Sequence, residues 1–120
     1  MIDIPQAMME SAYLSQGGEA AWDRQHALAV IQWATTSGIA VFGVEVWLPT
    51  NPGPTIPMPF FYSYDSEPKE NEEWMEFVKR ANAGAAQYVK EFDWDSEDHK
   101  HHSQQPYFNL TLGNAWEVAI

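Results

Sequence analysis

The hydrophobic pattern of the chain centres on residues 39–49, IAVFGVEVWLP, which form its longest apolar and β-branched run. Such a run predicts a buried strand at the centre of a sheet. Successive side chains of a strand point to opposite faces, so Gly43, Glu45 and Trp47 share one face and the other face is entirely apolar. A carboxylate in this setting needs water or a partner. Glu45 therefore marks either an edge of the sheet where it reaches water or a contact beside Trp47 on a binding face.

Helical periodicity appears on both sides of this strand. Apolar residues recur at three- and four-residue spacing over residues 19–36, which predicts a helix that ends at Gly38. The same spacing over residues 71–92 predicts a longer helix, with Asn71 as its N-cap. A shorter helix is predicted within residues 5–14.

The long C-terminal helix contains one glycine, Gly84, in a segment of small residues. Glycine inside a helix lowers its stability by about 1 kcal/mol relative to alanine. We expect close packing of this segment against the sheet to offset that cost. The aromatic residues of the same helix follow its apolar stripe, which is typical of a core and not of a cofactor site.

Four further segments complete the predicted fold. Residues 49–59 contain five prolines, which exclude a helix or an internal strand and indicate a stiff extended loop. Residues 60–65 predict a second strand. Residues 107–112 and 116–120 predict a terminal hairpin, for which a two-residue turn suits the turn chemistry. A three-residue turn at 113–115 is favoured because it gathers the apolar side chains of both strands on one face.

The order of these elements predicts a single α+β domain over residues 1–120. Its sheet is mostly antiparallel with about four strands, two or three helices pack on it, and it closes with a C-terminal β-hairpin. A charged loop over residues 93–105 separates the long helix from the hairpin.

The charge balance narrows the choice of partner. The chain has 17 acidic against six basic residues, a net charge of −11, and no cysteine. Nucleic acid and anionic membranes both attract lysine and arginine, so neither is an expected partner. The absence of a basic, apolar N-terminal leader and of a run of about 20 apolar residues predicts a cytoplasmic protein. A cationic partner is favoured by long-range attraction.

The sequence carries no catalytic motif. Segment 93–102 is rich in acidic and histidine residues, and its Asp93-x-Asp95 start resembles an EF-hand calcium loop. That loop needs glycine at its sixth position and glutamate at its twelfth, whereas this chain has Asp98 and Gln104 there. His99, His101 and His102 lack the four-residue spacing of a helical zinc pair. Nucleophile-elbow and phosphate-loop motifs are also absent. We therefore expect neither an enzyme, nor a cofactor, nor a dedicated metal site.

The acidic residues instead suggest a binding surface. They cluster at the start of the long helix and just after its end, and aromatic residues stand among them. Aromatic side chains ringed by charge are typical of interaction hot spots. Trp74 is either core or surface on this pattern, whereas Trp94 belongs to no apolar stripe and is the better surface candidate.

Two stretches resemble the small immunity proteins of bacterial polymorphic toxin systems. These are residues 27–33 (ALAVIQW) and residues 38–49 (GIAVFGVEVWLP), in which a helix runs into an apolar strand within a short, acidic, aromatic-rich chain. The resemblance covers about a quarter of the chain and lies in general style, so it assigns no individual residue a role.

The resemblance implies a protein that binds and neutralises a cognate toxin in the cell that produces it. Together with the acidity, it suggests an inhibitor that occludes a basic toxin domain. Its predicted contact residues come from the strand and surface patterns: Glu45, Trp47, Asp65, Glu67, Trp94, Asp95 and Asp98. The main alternative is an acidic intracellular adaptor domain without a toxin partner, and a metal-dependent enzyme is the third.

Overall fold

The structure is a computed structural model that describes residues 2–15, 17–48, 56–57, 63–93 and 105–115. Within these residues the chain forms three helices and six strands. In chain order they are α1 (Gln6–Glu10), β1 (Tyr13–Leu14), β2 (Ala20–Asp23), α2 (Arg24–Thr36), β3 (Ala40–Leu48), β4 (Ile56–Pro57), β5 (Ser63–Asp65), α3 (Trp74–Glu91) and β6 (Tyr107–Gly113).

The strands form one antiparallel sheet with β3 near its middle. Five strands lie in the order β1-β2-β6-β3-β4, and β5 also pairs with β3. Glu45 of β3 lies between Asn109 of β6 and Ser63 of β5, so β4 and β5 share the edge of β3 that faces away from β6. The α+β class and the antiparallel sheet are thus confirmed. The interpretation of Glu45 as an edge residue is wrong, because β3 has partners on both sides.

Helices α2 and α3 cover one face of the sheet. Trp22, Val44, Val46 and Phe108 point to this face, and all are at most 2% exposed. They pack against apolar residues of both helices. The helix residues buried there are Ala27, Val30, Ile31 and Ala34 of α2 and Phe77, Val78, Ala81, Ala85 and Val89 of α3. The protein is therefore a two-layer structure, and the opposite face of the sheet carries a different set of side chains.

The helix predicted over residues 19–36 begins later than its periodicity indicated. Ala20–Asp23 forms β2, which pairs with β6 and with β1, so the prediction of helix from residue 19 is wrong. The helix starts after Asp23, whose carboxylate accepts a hydrogen bond of 2.9 Å from the backbone N–H of His26. Sheet pairing overrides helical spacing here because Trp22 and Ala21 are both buried in the sheet.

The ends of the other helical segments are set by local geometry. Gly38 follows the last turn of α2 with φ of 73°, as predicted for a glycine that ends a helix. Helix α3 begins after Glu73, which forms a reciprocal capping box with Glu76, so the prediction of Asn71 as N-cap is wrong. Asn71 instead adopts a left-handed conformation with φ of 65° in the preceding turn.

Several predicted segments lie wholly or partly outside the described residues. They include most of the proline-rich loop, residues 60–62 of the second predicted strand and residues 116–120 of the hairpin. Ser63–Asp65 and Tyr107–Gly113 are strands as predicted. Ile56–Pro57 pairs with Trp47 and Leu48 on the side of β3 opposite β6. It is thus an edge strand, a position in which proline is tolerated.

Gly84 of α3 makes room for a tyrosine from β5. A Cβ atom at this position would overlap the Tyr64 hydroxyl and approach its ring to 2.8 Å at Cζ. The hydroxyl donates a hydrogen bond of 3.3 Å to the Ala81 carbonyl. Close packing was expected to offset the stability cost of Gly84. The contact of Tyr64 with the helix is that packing.

We predict that Gly84→Ala lowers the free energy of unfolding by about 1–3 kcal/mol, because the added methyl group displaces Tyr64. Helix propensity alone predicts the opposite sign, a gain of about 1 kcal/mol. Urea unfolding of the two proteins decides between them. The matched control is Ala83→Gly on the exposed side of α3, which should cost about 1 kcal/mol by propensity. A stabilised Gly84→Ala variant would show that Tyr64 does not constrain the helix.

Candidate functional site

The face of the sheet opposite the helices carries a polar depression of about 220 Å³. Strands β3, β5 and β6 supply its walls, with two cross-strand rows of side chains. In one row Glu45 lies between Ser63 and Asn109, and in the next Gly43 lies between Asp65 and Thr111. Residues directly opposite each other in antiparallel strands point to the same face, so these polar groups converge. We call this set the sheet depression: Gly43, Glu45, Ser63, Asp65, Asn109 and Thr111.

Gly43 leaves the space that the Asp65 side chain occupies. A Cβ atom on Gly43 would lie 3.1 Å from Asp65 Oδ1 and 3.8 Å from Thr111 Oγ1. The Asp65 carboxylate thus lies over the β3 backbone and remains exposed. Strand β3 also has a register irregularity between Val41 and Gly43, at the end of the depression where Gly43 and Asp65 lie.

Glu45 is oriented by the tryptophan two residues further along β3. The Trp47 indole Nε1 donates a hydrogen bond of 2.8 Å to Glu45 Oε1. The two side chains share a face, as the strand pattern predicted. Trp47 itself is only 1% exposed. In the free protein it therefore positions Glu45 and does not present its ring to a partner.

Two tyrosines continue this face beyond the depression, and sequence reasoning missed both. Tyr13 of β1 and Tyr107 of β6 meet edge to face, with ring centroids 5.8 Å apart. Both rings are partly exposed. One of them could have been found from β6, where Tyr107, Asn109 and Thr111 alternate with apolar residues and therefore share a face. The position of Tyr13 depends on its pairing with Ala21, which the short β1 did not reveal.

A loop rich in acidic residues adjoins the depression through Asp65. This acidic loop, residues 66–73, carries Glu67 and Glu70 and borders a second depression of about 760 Å³. Arg80 of α3 holds the loop in place. Its Nε and Nη2 donate to the two carboxylate oxygens of Glu72 at 2.9 and 2.8 Å, and Nη2 also donates to the Glu67 carbonyl at 2.8 Å.

The Arg80–Glu72 pair also alters the ionisation of both groups. The bidentate hydrogen bonds from Arg80, aided by the Lys69 backbone N–H, lower the pKa of Glu72 to about 2. Glu72 in turn raises the pKa of Arg80, chiefly through the same hydrogen bonds. Arg80 additionally lies over the Phe77 ring, 5.4 Å from its centroid. The pair therefore fixes the acidic loop to the helix while Glu67 and Glu70 stay exposed.

Three of the predicted contact residues, Glu45, Asp65 and Glu67, thus occur on one continuous surface. The other three surface candidates, Trp94, Asp95 and Asp98, lie outside the described residues. Trp74 is partly buried, and its indole donates a hydrogen bond of 2.8 Å to the Gly38 carbonyl. Within the described part of the chain, no three His, Asp or Glu side chains come together as metal ligands would.

Comparison with known proteins identifies the family. A family model described as Immunity protein 40 matches residues 9–112, which is most of the chain. The chain belongs to the Immunity protein 40 family. No significant match was found among curated proteins or among solved structures.

Membership gives this immunity protein its general function, which is protection against a toxin. The resemblance found in the sequence is thereby confirmed at the level of the family. Proteins of immunity families are generally not enzymes. None of the helices in the described ranges has both the length and the apolar content needed to cross a bilayer.

The Arg80–Glu72 pair predicts an acid-dependent loss of stability in this immunity protein. A carboxylate whose folded pKa is lowered from 4.5 to about 2 stabilises the fold at pH values above 4.5. That contribution disappears as the pH falls from about 4.5 to about 2, because the folded state then also takes up the proton.

Glu72→Gln removes the titrating group. The stability difference between the native chain and the variant should be largest at pH 7 and shrink across this acidic range. Urea unfolding at a series of pH values measures it, with Glu91→Gln as a control on the exposed end of α3. A difference that does not change with pH would rule out the ion pair as the cause.

Proposed function

We propose that this immunity protein neutralises a basic toxin domain by covering its active surface with the sheet depression and the acidic loop. The observation that carries the proposal is their continuity. Asp65 lines both depressions, which supports contact of a single partner with the carboxylates of Glu45, Asp65 and Glu67. Inhibition is by occlusion, without a cofactor and without chemistry on the toxin.

The charge of this surface supports a cationic partner. The sheet depression contains Glu45 and Asp65, and none of the described residues that line it is a lysine or an arginine. The adjoining loop adds Glu67 and Glu70 against Lys69, while the charge of Arg80 is already matched by Glu72. An uncompensated negative surface accelerates encounter with a basic protein and orients it on approach.

The rigidity of the scaffold supports tight binding. The acidic groups are mounted on paired strands, Glu45 is held by Trp47, and the acidic loop is held by Arg80. Groups that are already oriented lose less conformational entropy when a partner binds. Tyr13 and Tyr107, on the same face, supply the aromatic contact area that hot spots use.

We propose further that Trp94, Asp95 and Asp98 extend this contact surface. They carry the same combination of an aromatic ring and carboxylates, and they follow α3 after Asp93. We propose that this immunity protein acts in the cytoplasm. The acidic charge of the whole chain, −11, agrees with a basic toxin as the partner and with the absence of nucleic acid or membrane among its partners.

The proposal predicts that neutralising either carboxylate of the depression weakens toxin binding. Glu45→Gln and Asp65→Asn should each raise the Kd by about tenfold or more, because a cationic group of the toxin loses its partner at a partly desolvated site. The binding should also weaken on raising salt from 50 to 300 mM. The candidate partner for this titration is the product of the adjacent gene, and survival in co-expression gives the second readout.

Glu91→Gln provides the matched control, since it removes one negative charge from the helix layer. It should change Kd less than twofold and leave protection intact. If all three variants lost the same toxin affinity, the effect would come from net charge alone. That result would contradict a localised contact surface. Failure of the native chain to bind or protect against this toxin would reject the pairing and favour the adaptor alternative.

A further inference from the structure

The second layer of the protein carries a groove whose charge is opposite to that of the sheet face. It runs between α2 and α3 on their exposed side and has a volume of about 370 Å³. Leu28 and Ile31 of α2 and Ala83 and Ala86 of α3 form its apolar floor. This surface lies on the opposite side of the structure from the sheet depression, because the other sides of the same helices face the sheet.

Two lysines flank the groove. Lys79 and Lys90 of α3 are both exposed, and no acidic residue is among the described residues that line it. They are eleven residues apart, which corresponds to about 16 Å, or three helical turns. The two carboxylates of α3, Glu76 and Glu91, do not line the groove, and they accept hydrogen bonds from the Glu73 backbone N–H and the Gln87 amide.

This reversal of charge is unusual in a chain with 17 acidic and six basic residues. Small residues along α3 allow another backbone to approach closely, at the 8–10 Å typical of packed helices. Lysine stems extend the apolar surface while their ammonium groups stay in water. The groove thus combines an apolar floor with two positive ends at a defined separation.

We propose that the α2–α3 groove binds a short acidic amphipathic helix of a partner protein, about three turns long. Its apolar stripe lies on the alanine floor, and two carboxylates about three turns apart pair with Lys79 and Lys90. This mode of recognition places an amphipathic helix in a preformed groove. The groove and the sheet depression lie on opposite sides of the structure, so both can be occupied at once.

The test uses two synthetic 14-residue helical peptides and the ¹⁵N-labelled full chain. Both peptides have a Leu/Ala stripe, and one has Glu and the other Lys at two positions eleven apart. Chemical-shift changes should be confined to groove residues of Arg24–Thr36 and Trp74–Glu91. The Glu peptide should bind at least tenfold more tightly than the Lys peptide. Equal affinities, or shifts centred on the sheet depression, would overturn the proposal.

Three variants separate groove docking from general attraction. Lys79→Glu and Lys90→Glu should each weaken the Glu peptide by about three- to tenfold. Lys69→Glu, which makes the same charge change in the acidic loop, should change affinity less than twofold. Ala83→Trp fills the exposed floor without altering charge and should abolish binding. Undiminished binding to Ala83→Trp would show that the peptide does not occupy the groove.

Two further readouts bear on other occupants and on the toxin. Groove shifts that grow with protein concentration in the absence of peptide would mean that a second copy of the chain fills the groove, which overturns the proposal. Protection against the toxin should be unchanged in the Lys79→Glu, Lys90→Glu and Ala83→Trp variants. Its loss would assign the groove to the toxin interface and overturn the claim of a separate site.

Discussion

The carboxamide of Asn82 joins the three elements on which the fold depends. This side chain is 2% exposed, inside α3. Its oxygen accepts from the Val41 N–H at 2.8 Å, and its nitrogen donates to the Ile39 carbonyl and the Thr35 hydroxyl, each at 2.9 Å. It thus forms at the start of β3 the two bonds that an adjacent strand would form. Removal of a buried partner of this kind leaves unsatisfied groups that cost about 1–3 kcal/mol each.

This arrangement explains why the protein has two different surfaces. Asn82 joins α2 and α3 to the start of β3, the two helices pack on the same face of the sheet, and the other face retains its polar rows. Strand β3 runs through the middle of the sheet, so Glu45 is presented by paired backbone on both sides. The helix layer, in contrast, presents an apolar groove between lysines. One chain therefore offers an acidic, rigid face and a basic, apolar one.

The sequence predicted the parts of this structure that depend on local pattern. The apolar run of β3, the stripe of α3 and the Gly38 terminus were predictable because each follows from periodicity or backbone sterics, and the placement of Glu45 beside Trp47 followed from strand alternation. Long-range pairing was not predictable in this way: β2 pairs with the distant β6, and the short β1 pairs in turn with β2. The strand pattern likewise predicts Trp47 as a contact residue, whereas it is only 1% exposed in the folded protein.

The most direct test of the functional account is carboxylate footprinting of the protein, free and bound to its toxin, with site-resolved mass spectrometry. Labelling of Asp65 and Glu67, exposed in the free protein, and of the half-buried Glu45 should fall in the complex. Labelling of Glu76 and Glu91 on α3 should not change. Protection of the α3 residues with continued labelling of Glu45 and Asp65 would contradict the assignment of the acidic sheet face as the inhibitory surface.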